Sequence, residues 1–189
     1  MARRSYAPAG LIDSIARSTL RDLYPRPLMT RASKHSSARI FLHKALDEIP
    51  LTRAMQIVLR DYDGDRLSLS APLAPNVNDK GCAFGGSLAS LLTLAAWGLI
   101  ALKLETRGRD CDIYVQDSTI RYLAPLRSEL IAHAELAAGE SWDAFATTLD
   151  TRGRARLRLA CAAPIAEGGD ACTLDARFVA IVRKAHAAG

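Results

Sequence analysis

The apolar and polar positions divide the chain into segments of distinct character. The longest is an uncharged run from Cys82 to Leu102, which grows out of the turn-rich stretch Asn76–Ser87 and is mostly Leu, Ala, Ser and Thr. It fits about five turns of helix entered through Gly85-Gly86. Before it, Met55 to Arg60 reads as a strand, Asp63-Gly64-Asp65 as a tight turn, and Arg66 to Ala71 as the returning, alternating strand. After it, Ile113 to Leu123 is β-branched and aromatic, as strands are. Glu129 to Leu136 alternates and is expected to pair antiparallel with its predecessor. Trp142, Phe145 and Leu149 lie three and four apart, a short helix. Arg154 to Ala160 alternates with period two, placing Arg154, Arg156 and Arg158 on one face, and Cys172 to Val182 is the closing strand.

Upstream, Ile40, Phe41, Ala45, Leu46 and Ile49 predict a short amphipathic helix closed by Pro50. Leu11, Ile12, Ile15, Leu20 and Leu23 predict another at about residues 10–23, stopped by Tyr24-Pro25-Arg26-Pro27. Arg31 to Ser37 reads as a linker. The chain then divides into a basic extension over 1–37, a core over 38–183 and a frayed tail over 184–189.

Two physical readings compete for the apolar run. It is long enough to cross a bilayer. It also carries Ser87, Ser90, Thr93 and Gly98, and it lies between strand patterns that need one another to form a sheet. A helix apolar all round is equally the centre of a soluble domain, and that reading leaves no strand unexplained. The expectation is therefore one long helix wrapped by a curved antiparallel sheet of about six strands, an α+β hotdog architecture with no membrane span.

Charge changes the picture little. The net +5 is concentrated in residues 1–39, which sum to +6 while the rest sums to −1, so the core has no nucleic-acid signature. Cys82, Cys111, Cys161 and Cys172 are widely spaced, without C-x-x-C or His-flanked metal spacing. Reduced thiols, no metal, no cofactor and a cytoplasmic location are expected.

The segment Asn78-Asp79-Lys80-Gly81-Cys82-Ala83-Phe84-Gly85-Gly86-Ser87-Leu88 resembles the N-x-x-G-x-x-H-G-G stretch of hotdog acyl-thioesterases. Together with Leu51–Met55, Ala71–Asn76 and Asp117–Pro125, it is similar to the thioesterase domain of the YiiD C-terminal type over roughly residues 38–183. The resemblance implies hydrolysis of acyl-CoA or acyl-carrier-protein thioesters by an activated water, at a site on the interface of a homodimer or higher homo-oligomer. A non-catalytic acyl-binding module on the same fold is the alternative. The departures matter. Phe84 stands where those relatives carry His, and Thr93 where they carry a helix carboxylate.

The chemistry has to be distributed accordingly. Gly85, Gly86 and Ser87 open the helix, where backbone N–H groups and the helix dipole suit a developing oxyanion, with Phe84 beside them. The same glycines would also allow close packing. Asp117, flanked by Ser118, is the candidate base, with a solvent-facing Asp or an Asp117–Arg121 pair as the plain alternative. Asn78 matches the family's loop Asn and is also an ordinary turn residue. Thr93 is able to orient a water or to bond back to the preceding turn. Asp79 is a minor candidate for the base. Arg154, Arg156 and Arg158 would meet the phosphates of coenzyme A or an acidic carrier, or form a solvated edge-strand face.

Overall fold

In this computed structural model the described residues are 31–183. The expected helix at 10–23 and the tail at 184–189 lie outside them. The sheet and the helices packed on it lie within one compact unit that begins at Lys34. The elements are α1 (Arg31–Asp47), α2 (Pro50–Met55), β1 (Val58–Tyr62), β2 (Leu67–Ala71), a 3-10 turn (Ala74–Asn76), α3 (Gly85–Thr106), β3 (Cys111–Tyr122), β4 (Leu130–Leu136), α4 (Trp142–Arg152), β5 (Arg154–Pro164) and β6 (Asp170–Val182).

The six strands form one antiparallel sheet in the order β1-β2-β4-β5-β6-β3. On one face lies α3, spanning about 33 Å at 1.5 Å per residue. Leu91, Leu92, Leu99, Ile100 and Leu102 are fully buried, each contributing roughly 1.5–3 kcal/mol by leaving water. The apolar run is thus spent on the sheet, as a wrapped helix. One stripe stays half-exposed, comprising Gly86, Ala89, Ser90, Thr93, Leu94 and Trp97.

Several expectations are corrected. Arg31 to Ser37 is not a linker, because α1 runs through it and is anchored further on by buried Leu42 and Leu46. Pro50 does not merely close a helix. It sits in the first turn of α2, where its missing N–H costs nothing. Met55 therefore ends α2, and the first strand starts at Val58. β4 pairs with β2 and β5 and not with β3. Alternation tells which face a strand buries, not which neighbour it takes. β3 instead pairs with β6 along nearly its whole length and leaves its other edge open. β5 lies inside the sheet, so its arginines are on an exposed face and not on an edge.

Candidate functional site

The start of α3 is held by backbone and loop contacts. Phe84 N–H donates to the Asn76 carbonyl (2.7 Å) and Ala83 N–H to that of Leu126 (2.7 Å). Asn76 is 1% exposed, and its Nδ2 donates to the carbonyls of Met55 (2.9 Å) and Pro72 (2.8 Å). This one residue ties α2 and the exit of β2 together through its side chain, and the entry to α3 through its backbone carbonyl. Its Oδ1 has no partner among the described residues. Asn78 organises the next loop. Its Oδ1 accepts from Lys80 N–H (2.8 Å) and Cys82 N–H (3.2 Å), while its Nδ2 donates to Cys82 Sγ (3.3 Å). Its carboxamide is thus used as a turn residue uses it. Arg127 Nη1 donates to the Lys80 carbonyl (3.2 Å) from outside.

No side chain caps α3, because the N-cap is Phe84. The first-turn N–H groups of Gly85, Gly86 and Ser87 have no intrahelical acceptor. A Ser or Asp cap here would have added about 1 kcal/mol. Two exposed rings flank the uncapped turn. Phe84 lies over Gly86, where a Cβ would come within 2.3 Å of the ring. Tyr122 lies against Gly85, with its hydroxyl donating to the Gly85 carbonyl at 3.2 Å. The glycine pair therefore has a packing role as well as leaving room at the N–H groups. Ser87 turns to the buried side.

Asp117 is not brought to this turn. β3 carries a bulge between Val115 and Asp117, with Gln116 as the extra residue. Ahead of it Ile113 and Val115 sit opposite buried Ala180 and Phe178, on the helix side. After it Ser118, Ile120 and Tyr122 take that side, opposite Ala176, Leu174 and Cys172. The extra residue sends Asp117 to the far face, where it pairs with Arg177 at 3.8 Å and not with Arg121. The same shift brings Ser118 to the helix side.

Thr93 lies in the open stripe, seven residues or about 10 Å along the axis from Gly86. The expected back-bond is made by Ser90 instead, to the Gly86 carbonyl (2.9 Å). Among the described residues the Thr93 hydroxyl has no partner. The arginines of β5 occupy the outer face. Arg156 donates to Gln116 Oε1 (2.7 Å) and Arg158 grips Asp175 (2.6 Å). Arg154 stands in register with Ile181 and, one strand further, Asp112, ten positions along β3 from Tyr122. That is about 33 Å at strand rise.

The thiols offer no nucleophile beside Tyr122. Burial pushes Cys172 to about 11 and Cys161 to about 12. His133 is on the outer face, sharing a 2.7 Å hydrogen bond between its Nδ1 and Ser68 Oγ. Burial and then the nearby Arg66 and Arg60 hold its pKa below the ordinary imidazole value. No group of three or more His, Cys, Asp or Glu able to hold a metal occurs among the described residues.

A central helix on a six-stranded antiparallel sheet, entered through an uncapped Gly-Gly turn, is the hotdog arrangement of thioesterases. Residues 39–182 match the family described as "Putative thioesterase (yiiD_Cterm)". The chain belongs to that family. Similar solved structures include a putative thioesterase from Shewanella oneidensis, 28% identical, covering 77% of this chain and 99% of its own, with a TM-score of 0.68. A protein of unknown function from Chlorobaculum tepidum TLS is 27% identical, covers 82% of this chain and 98% of its own, and has a TM-score of 0.72. A Haemophilus influenzae thioesterase, 16% identical over 78% of this chain and 94% of its own, shares the fold with a TM-score of 0.58.

Tyr122, Asn76, Arg127 and Trp97 gain roles that the sequence had not assigned. Tyr122 did stand inside the family-like stretch Asp117–Pro125. Asn76 likewise closed the family-like stretch Ala71–Asn76, whereas Arg127 and Trp97 gave no signal.

Proposed function

We propose that the protein is an acyl-thioesterase acting on acyl-CoA or acyl-carrier-protein thioesters. The observation that carries this reading is the uncapped start of α3, in a chain of a thioesterase family. The thioester carbonyl oxygen accepts from Gly85 and Gly86 N–H between the Phe84 and Tyr122 rings, and the helix dipole favours the charge that develops there. Water adds to the carbonyl carbon, the C–S bond breaks, and the water's proton passes through a base to the departing thiolate. Asp117 points to the wrong face for that task. Asp79, on the loop that leads into the helix, takes it in this reading, and Thr93 and Ser118 line the acyl path. Arg127, beside the same loop, meets the carrier's phosphates in place of Arg154, Arg156 and Arg158, while Lys80 holds the Asp79 carboxylate at 2.9 Å.

The site is completed by a second copy. β3 presents an open edge with Tyr114, Val115, Tyr122 and Leu123 exposed, which is the profile of a strand awaiting a partner. Antiparallel pairing of two β3 edges would cover the open stripe of α3. The missing His and helix carboxylate favour a second reading, an acyl-binding module without hydrolysis.

Assaying a chain-length panel of acyl-CoA and carrier-protein thioesters separates the two. Turnover that falls at least tenfold in Asp79→Asn but is kept in Asp117→Asn supports this assignment. Binding without turnover of any thioester supports the module. Light scattering of Val115→Lys checks the interface, which predicts a shift from dimer towards monomer.

A further inference from the structure

A second concave surface lies away from the glycine turn. A cleft of about 630 Å³ opens at the C-terminal end of α3, between that helix, α1 and the start of β3. That volume is in the range of small-molecule sites. Its apolar lining includes Phe41, Ala45, Ile49, Trp97, Leu104 and Ile113. The half-exposed stripe of α3 leads there, since Gly86, Ser90, Thr93 and Trp97 fall on one side at helical spacing. β3 follows the stripe, with Tyr122 against Gly85 at one end and Ile113 lining the same cleft as Trp97 at the other.

We infer that this cleft lodges the far end of a long acyl chain, making the protein selective for chains of more than about twelve carbons. The inference rests on the thioesterase reading for placing the thioester at Gly85-Gly86. From Gly86 to Trp97 is about 16 Å of helix axis. With C–C bonds near 1.5 Å, an extended chain advances about 1.25 Å per carbon, so roughly thirteen carbons reach Trp97. Shorter chains end in the stripe, and longer ones enter the cleft.

The rim sets a second requirement. Arg183 is neutralised by Asp110 (3.0 Å) and Asp112 (2.7 Å), and Arg109 by Asp150 (2.7 Å). Glu48 and Glu105 also line the cleft and have no ion-pair partner among the described residues. A chain ending in a methyl group fits this acidic rim. A chain ending in a carboxylate is repelled.

The test is calorimetric binding of S-alkyl-CoA thioethers, which cannot be hydrolysed, from C8 to C18, below their micelle concentrations, to the full chain. Affinity is expected to keep rising past C12, by up to about fourfold per methylene. Ala45→Trp, which fills the cleft from α1, should flatten the rise beyond C12, and Ile49→Trp provides the same test if the first variant does not fold. An ω-carboxyl C16 thioether should bind at least tenfold more weakly than its methyl-ended counterpart, with part of the loss restored in Glu48→Gln/Glu105→Gln. Affinity that levels off by C12, or a slope unchanged in both filled variants, would overturn the inference. Because thioethers report binding alone, failure to hydrolyse any acyl-CoA or carrier-protein thioester defeats the thioesterase reading and leaves the binding slope to decide on the cleft.

Discussion

Replacing Gly86 with Ala separates the packing role that the structure gives this glycine from the carbonyl-binding role proposed for it. The new Cβ would lie 2.3 Å from the Phe84 ring, whereas ordinary contact begins at 3.4 Å. The ring must therefore retreat by about 1 Å. It is 56% exposed, so it swings outwards, at a rotamer cost of roughly 0.5–1.5 kcal/mol. Against this, Ala in place of Gly favours a helix by up to about 1 kcal/mol. The two nearly cancel, and Gly86→Ala alone should move stability by less than about 1 kcal/mol. In a Phe84→Ala background the clash is gone and the same change should stabilise by up to about 1 kcal/mol, which for a domain of this size is about 2–4 °C. The double-mutant cycle, read by urea and thermal unfolding, should give a coupling of about 0.5–1.5 kcal/mol. Activity should behave differently. A methyl group among the first-turn N–H groups obstructs the carbonyl whether or not the ring is present, so thioester turnover should fall at least tenfold in both backgrounds. Full activity in the double variant, relative to Phe84→Ala, would show that Gly86 serves packing alone. Additive stabilities would show that the ring contact is not what the glycine accommodates.

Three further outcomes are expected. Leu99→Ala, in the fully buried side of α3, should cost about 2–5 kcal/mol in urea unfolding, and a loss below 1 kcal/mol would contradict the packing of this helix on the sheet. Asn76→Ala removes both buried donors and should destabilise by about 1–3 kcal/mol while lowering kcat more than it raises KM, since it frees the entry to α3; a wild-type urea midpoint would remove its tethering role. His133 has its pKa depressed in the fold, so the unfolded chain binds the proton more readily and the contribution is present above pH 6.5 and lost as pH falls below it. The urea midpoint of the wild type should accordingly drop more between pH 7.5 and 5.5 than that of His133→Asn, and equal drops would refute the assignment.

Much of the architecture was legible because its causes are local. A long uncharged run of Leu and Ala between alternating segments leaves few ways to bury itself, and the Ser141 cap and Gly153 exit (φ +68) mark α4 just as its spacing does. The Gly85-Gly86 entry, the hairpin at Asp63–Arg66 and the outward face of Arg154, Arg156 and Arg158 follow from residues within a few positions of one another. Strand partners did not, because period two fixes a face and is silent about the neighbour. Asp117 shows the limit most sharply. In strict alternation it shares the face of Ile113 and Val115, towards the helix. One extra residue, Gln116, reverses that face, and such a bulge is settled by pairing with β6 across the sheet and not by the local sequence. The chain by itself determined a buried helix opened by glycines and the absence of the usual acid upon it. Only the tertiary structure decided which side chains surround that opening, because Asn76 and Tyr122 acquire their roles from contacts with Met55 and Gly85, made far along the chain.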